Sequence, residues 1–248
     1  MIEIKMPKKS LSGYTFIEGF PGAGLVGPMA INYIIEKMKM ENIGYISSEK
    51  FPPLVSIHED VPMQPVRIYI SEKLKIITVF AEFAIPIELT YELGSTIYSD
   101  IIKKTGISRV ISISGIPTQQ EEPPKQVFGV ASSKKLVKDV IEKNGLKPIG
   151  DGMATGINAL ILGWAMADSI DDINILVPIN PALIDPEYAV LAIKSLNSIL
   201  GIDVDTAELD KEAKVVEAKI RELMKKARET HENFKKTASD DTGPSMYA

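Results

Sequence analysis

Strand-like and helix-like segments alternate along the first 200 residues, and that alternation leaves few ways for the chain to bury itself. Residues 14–18 read as a strand, and 25–38 as a helix with apolar residues spaced at Leu25, Met29, Ile34 and Met38. A short strand follows at 43–47. Pro52, Pro53, Pro62 and Pro65 then limit any strand between them to an edge or a piece such as 54–57. Residues 66–70 and 75–80 form a hairpin pattern around Ser71-Glu-Lys-Leu74.

Pro86 opens a helix through Lys104 that ends at Gly106, with proline at the start and glycine at the end. Residues 110–114 read as a buried strand, 115–117 and 121–124 as loop, and 127–131 as a strand. Ser132 or Ser133 caps a helix to Lys143, stopped by Asn144-Gly145. The nearly all-apolar helix 156–166 is expected to be central. Residues 174–177 are a further strand and 186–200 a further helix. The pattern predicts one α/β domain over 1–201, a mixed sheet with helices on both faces.

After Gly201 the texture changes. Residues 205–234 contain neither proline nor glycine, and Leu209, Ala213, Val216, Ile220, Leu223 and Ala227 recur in steps of four and three. Asp210/Lys214, Glu217/Arg221, Glu222/Lys226 and Glu232/Lys236 set acid four residues before base, the favourable order on a helix. A helical extension over 202–236 is expected. Its narrow apolar stripe suits packing on its own domain or a contact between copies. Residues 237–248 are expected to be a tail, with a polar tether over 237–245 that leads to Met246-Tyr247-Ala248. An aromatic, an alkyl group and the terminal carboxylate together suit a pocket that captures a chain end.

Composition narrows the chemistry. A formal net charge of −5 argues against a nucleic-acid partner. With no cysteine, thiol catalysis, disulfides and Cys-ligated zinc are all excluded. The N-terminus lacks the apolar core of a signal peptide, and the run 159–167 is too short to span a bilayer, so a cytoplasmic protein without a membrane partner is expected.

One motif does suggest chemistry. Gly22-x-Gly24-x-x-Gly27 follows a strand and opens a helix, the setting of a dinucleotide fingerprint, with Glu49 near the place of a ribose-binding acid. The other reading of the three glycines is a tight turn and close helix–sheet packing. His58-Glu59-Asp60 reads as a solvated charged turn rather than a metal site, and Glu82 and Glu88 flank a strand-to-helix junction. No nucleophile, base and orienter assemble, and neither cofactor nor metal is expected.

Three separated segments carry a resemblance: Glu18-Gly-Phe-Pro-Gly-Ala-Gly-Leu-Val-Gly27, Ser112-Ile-Ser-Gly-Ile-Pro117 and Gly150-Asp-Gly-Met-Ala-Thr-Gly156. Together they resemble the proteasome assembly chaperone family, its archaeal homologues above all, over most of residues 10–200. The resemblance implies a three-layer α/β body like that of nucleoside phosphorylases and related hydrolases, without their catalytic residues. It also implies binding to the α-subunit ring of the proteasome core particle. The end of the chain resembles the hydrophobic–tyrosine–any-residue terminus used by proteasome activators and assembly factors. By that likeness the Ala248 carboxylate pairs with a pocket lysine, Tyr247 packs at the rim, and Met246 fills an apolar notch.

One tripeptide binds weakly, so a homo-oligomer, dimer or tetramer and open to a related subunit, is expected to add avidity. The nine-residue tether spans up to roughly 30 Å. The competing expectation is an enzyme or nucleotide-binding protein that uses Gly22, Gly24 and Gly27.

Overall fold

The computed structural model describes residues 1–209. They form a nine-stranded mixed sheet between two helical layers. The strands are β1 (Ile2–Lys5), β2 (Thr15–Glu18), β3 (Glu41–Ser48), β6 (Val66–Ser71), β7 (Ile76–Ala81), β8 (Arg109–Pro117), β9 (Phe128–Ala131), β10 (Lys147–Pro148) and β11 (Asp171–Ile179). Their order is β1-β3-β6-β7-β2-β8-β11-β9-β10, and β4 (Ser56–His58) with β5 (Val61–Met63) make a separate two-stranded sheet. The middle of the large sheet is parallel, since β2 pairs that way with both β7 and β8, and β8 with β11. Antiparallel strands flank it on both sides, from β6 outward and at β9.

Helix α1 (Val26–Lys37) and α5 (Pro186–Leu200) lie on one face. Their apolar side chains meet Ile17, Ile111, Ile113, Ile173 and Ile175 in one core. On the other face, α2 (Thr90–Thr96, continued by a π-helical stretch Ile97–Lys103) and α4 (Ile157–Asp168) cover Phe16, Ile68, Val79 and Val110 in a second. Helix α3 (Lys134–Leu136) begins the run that ends at Asn144, with Ser133 capping the Leu136 amide at 3.2 Å. This is the expected α/β class: a mixed sheet with helices on both faces.

Two expectations fail. Residues 115–117 are not loop but the end of β8, because β11 continues alongside them to Ile179. Helix α4 is not central. Only Ile157, Ile161 and Ala165 are buried, a stripe at four-residue spacing, while Met166 is 63% exposed. Its apolar content exceeds what one buried face needs.

Past Gly201 the chain stays on the body: Val204 and Leu209 are buried against the first core, and the Tyr33 hydroxyl donates to the Asp205 carbonyl at 2.7 Å. Glu208 pairs with Lys37 in the last turn of α1. Residues 202–208 are not helical, contrary to the expected start of the extension, and the rest of that expected helix and the tether lie outside the described residues.

Candidate functional site

The glycine loop joins the end of β2 to the start of α1. Gly19 and Gly27 face each other so closely that a Cβ on either would lie 2.7 Å from the other's Cα. No side chain fits there. Gly24 has φ +66, and it sits where a Cβ would press on Ile179 at 3.3 Å. Gly22 is exposed at the tip with an extended backbone. The loop is a seam that brings α1 down onto the sheet.

It does not complete a dinucleotide site. Such a site needs the strand after the helix to lie parallel beside β2, with an acid at its end. Here β3 is three places away and antiparallel to its neighbours, and Glu49 accepts a 2.9 Å bond from the N-terminal ammonium. The helix start is also poor in free donors. Pro28, its third residue, has no N–H, and the Leu25 N–H is taken by the Gly22 carbonyl at 3.1 Å.

Behind the loop lies a cluster that sequence reading missed. Glu18, Ser112, Asp172 and Asn174 come from β2, β8 and β11, and all are buried. Glu18 stands opposite Ser112 in register, and Ser112 opposite Asn174. One Glu18 oxygen accepts from the Phe20 amide at 3.2 Å. The Asn174 amide donates to Asp172 at 2.9 Å, and Asn158 of α4 donates to Asn174 at 3.3 Å. Glu18 Oε1, Ser112 Oγ and Asp172 Oδ2 are buried without a hydrogen-bond partner.

Burial pushes the Glu18 carboxyl up to about 7, moderated by the Ser112 hydroxyl beside it and the Phe20 amide. Burial, and then the nearby Glu18, raise Asp172 well above the usual carboxylate range. Both acids are thus harder to ionise than ordinary carboxylates.

A second buried group joins the β4–β5 hairpin to the sheet. Arg67 grips Glu82 with two guanidinium bonds at 2.8 and 3.1 Å, donates to the Tyr69 hydroxyl at 2.7 Å, and donates to the Gln64 carbonyl at 3.0 Å. His58 lies 2.8 Å from Glu82, so the expected solvated turn is really Glu59 and Asp60 alone. Burial alone would raise Glu82, but the Arg67 bonds and charge outweigh it and hold the carboxyl below its ordinary value. The group is structural, since every member is satisfied by another. Among the described residues, no three His, Cys, Asp or Glu side chains gather as metal ligands.

A groove of about 860 Å³ opens elsewhere, between Met6–Ser10 and the end of α2, remote from the glycine loop. Met246, Tyr247 and Ala248 lie outside the described residues. Among those described, no helix is long and apolar enough to cross a membrane.

The chain is similar to Pyrococcus furiosus PbaA, described as an archaeal homolog of proteasome-assembly chaperone. The two are 30% identical with a TM-score of 0.81, over 92% of this chain and 100% of that one. P. furiosus PbaB, described as an archaeal proteasome activator, shares the fold at 23% identity and TM-score 0.71, over 90% and 98% of the two chains. An uncharacterised protein of Methanocaldococcus jannaschii is 28% identical over 207 residues, 84% of each chain. The PAC2 family pattern matches residues 16–224, which takes in the glycine loop, the buried acid cluster and every helix of the two layers. The chain belongs to the PAC2 family.

Proposed function

We propose that this chain is a proteasome-binding protein without chemistry of its own, an assembly-chaperone homologue that engages the α-subunit ring of the core particle. The observation that carries the reading is the end-to-end likeness to PbaA, which leaves none of that chain uncovered. The glycine loop supports it too, since its close contacts serve packing and its ribose acid is elsewhere.

Met246-Tyr247-Ala248 is the docking element in this proposal. The terminal carboxylate meets a lysine in a pocket between α subunits, Tyr247 packs and hydrogen-bonds at its rim, and Met246 fills the apolar notch. Several tails on a homo-oligomer bind together far more tightly than one. Deleting residues 246–248 is expected to abolish binding to the α ring. Adding one residue after Ala248 should weaken it similarly, because the carboxylate moves and Tyr247 is no longer penultimate. Peptide hydrolysis by assembled core particle separates the two roles: a rise on binding marks an activator, and binding without a rise marks a chaperone. Unchanged α-ring binding after deletion would sink the tail mechanism.

A further inference from the structure

The β4–β5 hairpin sits at a defined end of the molecule. β6 starts where β7 ends, with Val66 opposite Ala81, and β3 ends where β6 starts. The link between β3 and β6 carries the hairpin, so it lies at the carboxyl ends of the parallel strands. The segment after β7, with Ile87, leaves from the same end.

The hairpin's two faces differ. Ser56 is buried and His58 bonds to Glu82, which turns that face toward the body. Val55 and Ile57, on the alternate face, are 54% and 60% exposed, and Ile57 lies across from Pro62. The outer face of an antiparallel pair is ordinarily polar. Here it is apolar, and Ile87 adds a side chain 89% exposed. β4 and β5 pair only with each other, and because Pro62 leaves β5 without its outward N–H, the open edge is that of β4 at Ile57. Two strands alone are marginal in water, and a third stabilises them.

Charge selects the occupant. Glu59, Asp60 and Glu88 are exposed at this end and form no ion pair among the described residues, while nearby Lys50 is taken by Glu92. A second copy presenting the same edge would set carboxylates against carboxylates. The described chain leaves at the other end of the sheet, beside the last turn of α1. We propose that the hairpin docks an extended, basic and apolar segment of a partner polypeptide, added as a third strand. This surface is separate from the C-terminal tripeptide and does not depend on it.

The test uses full-length protein and two labelled ten-residue peptides, one alternating Lys and Val, the other Glu and Val. Fluorescence anisotropy should show saturable binding of the Lys–Val peptide alone, weakening with salt. Ile57→Asp should weaken it by about tenfold or more. That variant adds negative charge, so a merely electrostatic attraction would strengthen instead. Glu59→Asn with Asp60→Gly should weaken it several-fold while keeping the turn, since both positions have positive φ (48 and 64) suited to Asn-Gly. Equal binding of both peptides, no saturable binding, or binding undiminished by Ile57→Asp overturns the proposal. So does an oligomer that Ile57→Asp dissociates in sedimentation, because the occupant is then a second copy.

Discussion

Glu18, at the end of β2, and Glu82, just past the end of neighbouring β7, are both buried carboxylates, yet their surroundings are opposite. Glu82 faces the layer of α1 and α5 and is gripped by Arg67, with His58 closing the group. Glu18 faces the layer of α2 and α4, and its nearest ionisable company is another acid, Asp172. The first is held ionised by a cation. The second has no cation beside it, and burial, only partly offset by Ser112 and the Phe20 amide, raises its carboxyl to about 7. The contrast teaches that a buried acid at the end of a parallel strand is not by itself a catalytic sign. Glu82 is a brace for the hairpin, and Glu18 is a buried acid without a cation behind the glycine loop.

The comparison can be broken most forcefully at Arg67. Replacing Arg67→Ala leaves Glu82 buried without its cation, and chemical denaturation should show a loss of about 3–5 kcal/mol at pH 7. At Glu18 the effect follows pH. Folded Glu18 keeps its proton up to about 7, whereas its ordinary value is 4.5, so the folded state binds more protons across that window. Stability therefore falls as pH rises from 4.5 to 7 and levels off above. The full change is on the order of 3 kcal/mol. Glu18→Gln should flatten that slope, and thermal melts between pH 5 and 8 read it directly.

Glu18→Gln also acts one step further away. It removes the charge that helps raise Asp172, so carbon-detected NMR titration should show Asp172 ionising at lower pH than in the parent chain. The smallest effect is expected at His58, which is partly exposed. His58→Ala should cost about 1 kcal/mol in a thermal melt, since Arg67 alone still satisfies Glu82.

Much of this fold is written in local pattern. α5 runs Pro186–Leu200, the bounds read from the sequence, with Asp185 accepting from the Glu187 amide at 2.9 Å. The β6–β7 hairpin follows from alternation and a short turn. Pattern misled where orientation mattered. In α4 an apolar composition suggested a central helix, although only Ile157, Ile161 and Ala165 turn inward. Strand order was illegible too, so Glu49 seemed placed for a ribose while β6 and β7 come between its strand and β2.

The buried acids were hidden for the same reason. Nothing local to Glu18 or Asp172 distinguishes them from surface carboxylates. Only the pairing of β2, β8 and β11 brings them near each other. The glycine loop was legible as a motif, and its two meanings were separated by the 2.7 Å approach of Gly19 and Gly27 and by the place of β3 three strands from β2.

The central claim is that the chain binds the proteasome α ring through its last three residues. The most direct measurement is surface plasmon resonance of the full-length protein on immobilised α rings, beside a Tyr247→Ala variant. The account predicts saturable binding by the parent chain and a loss of at least about tenfold in the variant. Equal affinity of the two, or no binding by the parent, would contradict it.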